Sequence, residues 1–118
     1  MTAVEPRDLS ADERALLRLL LRDATFPGAQ ELAGQVEHAK VVGGLQTLLD
    51  LEVPPAIRRA ATEDGVVPVR AFVHADDGEV EGEVIVRVKD GYLSGLEYAW
   101  YTDHAPAGMP EPDRVRVS

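Results

Sequence analysis

The chain has 118 residues, of which 45% are hydrophobic and 28% charged, and this composition is typical of one globular domain. It contains no cysteine, which excludes disulfides, thiolate metal sites and cysteine nucleophiles. The 21 acidic residues outnumber the 12 Lys and Arg residues, and the net charge of −9 disfavours binding to nucleic acids or anionic membranes. Since no stretch is long and apolar enough to span a membrane, we expect a cytoplasmic protein that binds neither nucleic acid nor membrane.

The first third of the chain predicts two helices after a flexible lead-in over residues 1–9. Ser10 and Glu13 have the spacing of a capping box, in which each side chain accepts a hydrogen bond from the backbone N–H of the other residue. Leucines recur at helical spacing after this box and predict a helix over residues 11–22. A second helix is predicted over residues 27–37, because apolar residues again recur at helical spacing and a proline stands at the first position.

The next segment predicts two short strands followed by a loop. Residues 41–42 and 47–53 carry strand-forming side chains on either side of a Gly-Gly pair, and two prolines end the second run. Residues 54–66 are rich in turn-forming and charged residues, which predicts a connecting loop.

Three strand-like runs then occupy residues 67–75, 80–89 and 92–101. Asp77-Gly78 and Asp90-Gly91 separate them, and Asp-Gly between alternating runs is typical of a two-residue type I′ hairpin turn. The middle run alternates valines with charged residues, so the predicted meander has one apolar face for the helices and one face open to solvent.

These elements predict one α+β domain over residues 10–118. Two N-terminal helices are expected to pack on one face of a mostly antiparallel sheet of four or five strands. The residues from about 102 onward contain three prolines and are expected to form an irregular tail, with a short edge strand at Val115 and Val117.

Two registers are possible for the third run, and they differ in the face to which Glu97 points. If both Asp-Gly turns have two residues, strict alternation points Glu97 into the apolar face, where burying a carboxylate is costly. One extra residue at Ser94-Gly95 turns Glu97 outward and makes Tyr98 and Trp100 part of the core, and we favour this bulge. Without the bulge, both aromatic side chains join the face that is open to solvent.

Acidic residues are densest in the middle of the chain, because no Lys or Arg stands between Arg70 and Arg87. A solvated strand surface accounts for such a pattern, and so does a surface that attracts a basic protein partner. The predicted binding face consists of acidic and aromatic side chains. Its members are Phe72, His74, Glu79, Glu81, Glu83, Glu97, Tyr98, Trp100 and Tyr101.

Common catalytic signatures do not occur in the sequence. The segment GYLSG at residues 91–95 departs from the spacing of a nucleophile elbow, and no glycine-rich phosphate loop is present. A second hypothesis is a small-ligand or metal-binding protein, or an enzyme, in which His74, Asp76, Glu97 and His104 converge at one end of the sheet. These residues do not have a recognised metal-ligand spacing, so no metal or cofactor is predicted.

Several segments resemble a family of small, uncharacterised actinobacterial proteins, a domain of unknown function. The features that carry the resemblance are a leucine-rich first helix at residues 16–21, the strand AKVV at 39–42, the segment DGYLSGLEY at 90–98 and a proline-containing tail at 102–112. The resemblance covers most of the chain and implies a single bacterial domain whose helices precede the sheet. It implies no activity and no catalytic residue.

From these patterns we expect a non-enzymatic interaction module that binds a basic protein partner through the acidic sheet face. An immunity or antitoxin-like protein that shields a basic toxin domain is one form of this hypothesis. The chain is expected to be a monomer or a homodimer, and an unpaired sheet edge would serve the homodimer.

Overall fold

Two helices and eight strands make up the part of the chain that the computed structural model describes, residues 6–118. In chain order they are β1 (Arg7–Asp8), α1 (Ala11–Leu21), α2 (Ala29–Gln35), β2 (Lys40–Leu45), β3 (Leu48–Glu52), β4 (Gly65–Val66), β5 (Ala71–His74), β6 (Val80–Lys89), β7 (Tyr92–Trp100) and β8 (Val115–Val117). Two 3₁₀ turns, Val36–His38 and Pro112–Arg114, precede β2 and β8.

The eight strands form one antiparallel sheet with the order β1-β2-β3-β7-β6-β5-β8, and β4 pairs with β6 beyond the end of β5. The α+β class and the antiparallel sheet are therefore confirmed, and β8 is the expected edge strand. The predicted number of four or five strands is wrong. The missed strands β1 and β4 have two residues each, which is too few to show an alternating pattern.

The expected flexible lead-in needs correction at its second half. Residues 1–5 lie outside the described residues. Arg7 and Asp8 form β1, which pairs with Val41 and Lys40 of β2, and Leu9 is buried in the core. The sheet therefore begins before the first helix, within the predicted lead-in.

Helix α1 begins at the predicted capping box. Ser10 Oγ accepts a hydrogen bond from the backbone N–H of Glu13 at 3.1 Å, and Glu13 Oε1 accepts one from the N–H of Ser10 at 2.7 Å. Arg7 donates two more hydrogen bonds to the same carboxylate, at 2.9 and 3.0 Å. These bonds lower the pKa of the Glu13 carboxyl, and the hydrogen bonds from Arg7 are the largest cause. Glu13 thus ties β1 to the first turn of α1.

The lowered pKa of Glu13 makes part of the stability depend on pH. A carboxyl whose pKa is lower in the folded chain than in the unfolded chain stabilises the fold at pH values above its unfolded pKa. This stabilisation is lost as the pH falls through the pKa of the folded chain. We expect Glu13→Gln to lower the free energy of unfolding by about 1–2 kcal/mol at neutral pH, because Gln keeps the capping bond but loses the charge that pairs with Arg7. The difference from the wild type should shrink below about pH 4.

Urea unfolding of both proteins at several pH values measures this effect. The control is Glu37→Gln, since Glu37 forms an ion pair with Arg18 in which both side chains are at least half exposed. If the two variants lose stability equally at every pH, the contribution assigned to Glu13 is wrong.

Helix α2 is two residues shorter than predicted at each end, and its last residue, Gln35, is fully buried. Gln35 Nε2 donates hydrogen bonds to the carbonyl oxygens of Arg58, at 3.1 Å, and Gly91, at 2.9 Å. Its Oε1 accepts one from the backbone N–H of Leu93 at 2.9 Å. The side chain therefore joins the helix to a loop and to the start of β7. A polar residue three positions after Leu32, on the apolar stripe, is the sequence signal for this contact.

The turn between β6 and β7 has the predicted type. Asp90 and Gly91 both have positive φ, at 54° and 83°, and the flanking residues Lys89 and Tyr92 pair with each other. These are the conformations that a type I′ turn requires. The Asp-Gly pair therefore fixes the start of the β6–β7 register.

The turn between β5 and β6 has three residues rather than two. Ala75 accepts a hydrogen bond from the N–H of Gly78 at 2.9 Å and donates one to the carbonyl of Glu79 at 2.8 Å, so residues 76–78 form the loop. A bulge at Glu81 follows and restores the register that two-residue pairing predicts for the rest of β5. Glu81 is thereby removed from strict alternation.

The bulge predicted in β7 is present. The residues on either side of Ser94 pair with adjacent residues of β6, so Ser94 is the extra residue. Glu97 points away from the core, and Tyr98 points into it with 5% of its surface exposed, as expected. The expectation that Trp100 is buried is wrong, because it lies at the end of β7 and is 39% exposed.

One hydrophobic core lies between the helices and the sheet. Leucines of α1 and Leu32 of α2 pack with alternate residues of the central strands, among them Leu49, Val73, Val84 and Leu96. Both helices therefore lie on one side of the sheet, and the other side is called the open face below. Within residues 6–118, the helices are too short and too polar to cross a membrane.

Candidate functional site

Side chains on the open face form rows that run across the strands, and Asp50 and Arg87 belong to one of them. The strand pairings place Leu45, Leu48, Glu97 and Ile85 in a second row, and Ala99, Glu83, Phe72 and Arg116 in a third. Leu45 is 73% exposed and Leu48 is 39% exposed. The open face thus mixes apolar side chains with charges.

Two of the four glutamates that the sequence assigns to this face lie on it, and both are paired with arginines. Glu97 Oε1 lies 2.8 Å from Arg87 Nη2, and Glu83 Oε2 lies 3.8 Å from Arg70 Nε. The Tyr101 hydroxyl also donates a hydrogen bond to Glu83 at 3.3 Å. Exposed pairs of this kind contribute little to stability, but they neutralise the carboxylates. The open face therefore does not concentrate negative charge.

The predicted binding residues are divided among three places. Four lie on the open face: Phe72, Glu83, Glu97 and Tyr101. Two pair with residues on the helix side of β6: Tyr98 and Trp100. Three lie at the end of the sheet, around the β5–β6 turn: Glu79, Glu81 and His74, of which His74 shares the open side of β5 with Phe72. The nine residues therefore do not share one face, because Tyr98 and Trp100 are on the helix side and the bulge in β6 takes Glu81 out of alternation.

Negative charge concentrates instead at one end of the sheet. The acidic end is defined here as Asp76, Asp77, Glu79, Glu81 and Glu111. Arg114 lies among these residues, with its Nη2 2.9 Å from Asp76 Oδ1 and its Nε 4.0 Å from Glu111 Oε2. Glu79 and Glu81 form no ion pair with any residue between 6 and 118. Arg114 thus forms ion pairs with two carboxylates of the acidic end, and Glu79 and Glu81 remain without an ion pair among residues 6–118.

A groove of about 720 Å³ opens between the acidic end and residues 106–111. Val73, Ala75 and Met109 provide apolar lining, and Pro110 is buried and holds the segment against the domain. The groove is wide and open to solvent along most of its surface. The sequence predicts only irregular structure for this segment, and its closely spaced prolines are the signal that its backbone is restricted.

Tyr98 lies in this groove with its ring packed over Gly82, where a Cβ atom would come within 2.8 Å of Tyr98 Cε1. The hydroxyl forms no hydrogen bond with residues 6–118. Fully buried side-chain N and O atoms in this part of the chain all have partners, so the Tyr98 hydroxyl opens onto the groove. Burial raises the pKa of the Tyr98 phenol, the Glu81 carboxylate raises it further, and Arg114 opposes this shift.

The four residues of the second hypothesis do not come together. His74 Nδ1 donates a hydrogen bond to the carbonyl oxygen of Gly78 at 3.2 Å, and Asp76 pairs with Arg114. Glu97 lies opposite Ile85, five residues along β6 from the partner of His74, which corresponds to about 17 Å. His104 is exposed after β7. In the described range, no three His, Asp or Glu side chains are arranged to hold a metal ion.

Comparisons with protein-family models, with curated proteins and with solved structures find no match to this chain. The resemblance to the actinobacterial family therefore stays a prediction. The candidate site is defined by its own geometry and charge, which are those of the acidic end, the groove and the Tyr98 hydroxyl.

Proposed function

We propose that this chain is a non-enzymatic binding module that receives a basic surface of a partner protein at its acidic end. The supporting observation is the distribution of paired and unpaired charges. Glu83 and Glu97 of the open face are paired with arginines. Glu81 lines the open groove and Glu79 lies in the adjacent turn, and neither forms an ion pair with residues 6–118. Carboxylates that are unpaired in the free protein can pair with the cations of another molecule.

The net charge of the chain favours the same kind of partner. A charge of −9 attracts basic proteins over distances of several ångströms to about a Debye length and repels the phosphates of nucleic acids. An immunity or antitoxin-like protein, which would cover a basic toxin domain, is a specific form of this proposal. The cytoplasmic location and the choice between monomer and homodimer stay predictions.

Charge reversal at the acidic end tests the proposal. The test variant carries Glu79→Lys, Glu81→Lys and Glu111→Lys. The control variant has the same net charge and carries Glu37→Lys, Glu52→Lys and Glu63→Lys, which are exposed positions away from the acidic end. Each protein is immobilised and exposed to a lysate of the source organism at low and high salt. The captured protein is then identified and purified, and its affinity is measured by calorimetry.

We expect a basic partner whose affinity falls about 100-fold or more in the test variant, because several charged contacts of about 1 kcal/mol each are lost or reversed. High salt should weaken the wild-type complex, and the control variant should bind within about twofold of the wild type. Circular dichroism establishes that all variants are folded.

A third variant, Glu83→Lys with Glu97→Lys, separates the acidic end from the open face. We expect this variant to retain binding, since both carboxylates are already paired with arginines. Loss of binding in this variant, together with normal binding of the acidic-end variant, would place the partner on the open face and contradict the proposal.

A further inference from the structure

The Tyr98 hydroxyl is a polar group that the rest of the described chain leaves without a partner. Its residue is 95% buried, since only 5% of its surface is exposed. Tyr98 lines the groove, and its ring packs over Gly82. Since every fully enclosed side-chain N or O atom of residues 6–118 has a partner, the Tyr98 oxygen keeps some exposed surface and opens onto the groove. The hydroxyl can therefore form a hydrogen bond with a group of another molecule.

The charge around this hydroxyl indicates a cationic group. Glu81 precedes Gly82, over which the Tyr98 ring packs, and the side chains of Glu81 and Tyr98 both line the groove. Glu81 forms no ion pair with residues 6–118. Arg114 also lines the groove, but Asp76 and Glu111 match its charge. An anion would meet the carboxylates of the acidic end at close range. A donor with positive charge can bind Glu81 and the oxygen of Tyr98 together.

The lining of the groove fits a long side chain. Ala75, Pro106 and Met109 present apolar surface beside the polar end. Lysine and arginine side chains bury their methylene groups against such surface while the charged end reaches polar groups. The volume of about 720 Å³ also leaves room for the backbone on either side of the inserted residue.

We infer that the groove receives a lysine or arginine side chain of the partner protein, whose charged group binds between the Glu81 carboxylate and the Tyr98 hydroxyl. This inference rests on the proposed function and adds the anchoring contact to it. The remaining carboxylates of the acidic end surround this anchor and contact neighbouring basic residues of the partner.

The test uses small probes in place of the partner. Isotope-labelled protein is titrated with N-acetyl-lysine methylamide and with N-acetyl-arginine methylamide, and amide shifts are recorded by NMR. N-acetyl-norleucine methylamide is the control probe, because it has the aliphatic chain of lysine without the charge. We expect saturable shifts around Glu81, Tyr98 and Met109 with at least one cationic probe at millimolar concentration, and no saturable shifts with norleucine.

Two variants test the named atoms. Tyr98→Phe removes the hydroxyl and keeps the packed ring, and Glu81→Gln removes the charge at nearly constant size. Each should weaken the cationic probe about tenfold, whereas Glu52→Gln, at an exposed position away from the acidic end, should leave its affinity within about twofold. If Tyr98→Phe lowers stability, Glu81→Gln still tests the contact, because Glu81 is only partly buried.

The outcomes separate this inference from the proposed function. Absence of shifts with both cationic probes, or equal binding of norleucine, overturns the inference. If the partner depends on the acidic end but binds Tyr98→Phe and Glu81→Gln as tightly as the wild type, the proposed function stands and the groove is not the anchor. If a cationic probe binds the groove but charge reversal leaves partner binding unchanged, the proposed function is wrong. In that case the groove binds a cation, but the cation is not a side chain of the partner protein.

Discussion

Replacing Gln35 with alanine is expected to lower the free energy of unfolding by about 3 kcal/mol, because it leaves buried backbone groups without hydrogen-bond partners. The carbonyl of Arg58 and the N–H of Leu93 lose the bonds that Gln35 makes to them, and the carbonyl of Gly91 keeps only the N–H of Ala60, at 2.8 Å. Domains of this size usually have a total stability of about 5–15 kcal/mol, so the loss is a large part of the whole.

Urea unfolding measures this loss, and hydrogen exchange locates it. The N–H of Leu93 should exchange faster in the variant than its neighbours in β7, since it loses its acceptor. Gln30→Ala is the matched control, because Gln30 is an exposed residue of the same helix, and its effect should stay within about 0.5 kcal/mol. A loss below about 1 kcal/mol for Gln35→Ala would show that water replaces these bonds easily.

Gly82→Ala is expected to destabilise the chain by about 2–3 kcal/mol, because a side chain at this position overlaps the neighbouring strand. A Cβ atom would collide with the carbonyl oxygen of Ala99 and would lie 2.8 Å from Tyr98 Cε1 and 2.9 Å from Trp100 Cα. Two of these three atoms belong to backbone and cannot rotate away. β6 and β7 must therefore separate near Gly82, and the ring of Tyr98 must shift as well.

The same substitution at Gly34 should have the opposite sign. Gly34 lies in α2 with nothing within 4 Å of the added Cβ, and alanine is the better helix former by about 0.5–1 kcal/mol. Thermal and urea unfolding of the two variants are compared, and hydrogen exchange is measured at the Tyr101 N–H, which donates to the carbonyl of Glu81 at 2.7 Å. Similar stability of Gly82→Ala and Gly34→Ala would disprove the close approach at Gly82.

The bulge in β7 could be predicted from the sequence by considering which side chains can be buried. The sequence places Glu97 in the apolar face unless one residue is added, and the cost of burying a carboxylate is enough to favour the bulge that Ser94 forms. The same reasoning could not detect the bulge at Glu81. There the loop of residues 76–78 and the bulge compensate each other, so the alternation beyond them looks undisturbed in the sequence.

The predicted acidic face shows how far functional residues can be predicted from alternation along a strand. Alternation along one strand tells which side chains share a face, but it does not tell which cation comes from another strand. Arg87 of β6 neutralises Glu97 of β7, and Arg70, the residue before β5, neutralises Glu83 of β6. The charge of the open face therefore depends on strand order and register, and the prediction of one continuous acidic surface did not include them.

Features that depend on neighbours within a few residues could be predicted from the sequence. The capping box at Ser10 and Glu13, the turn at Asp90 and Gly91, and the leucine stripe of α1 each form through local contacts, so local patterns identify them. The contact of Gln35 with Leu93, 58 residues away, and the groove that residues 106–111 form over Tyr98 depend on the tertiary fold and could not be predicted. Such contacts join segments that are distant in the chain, and their energies depend on packing and burial that a single stretch of sequence does not contain.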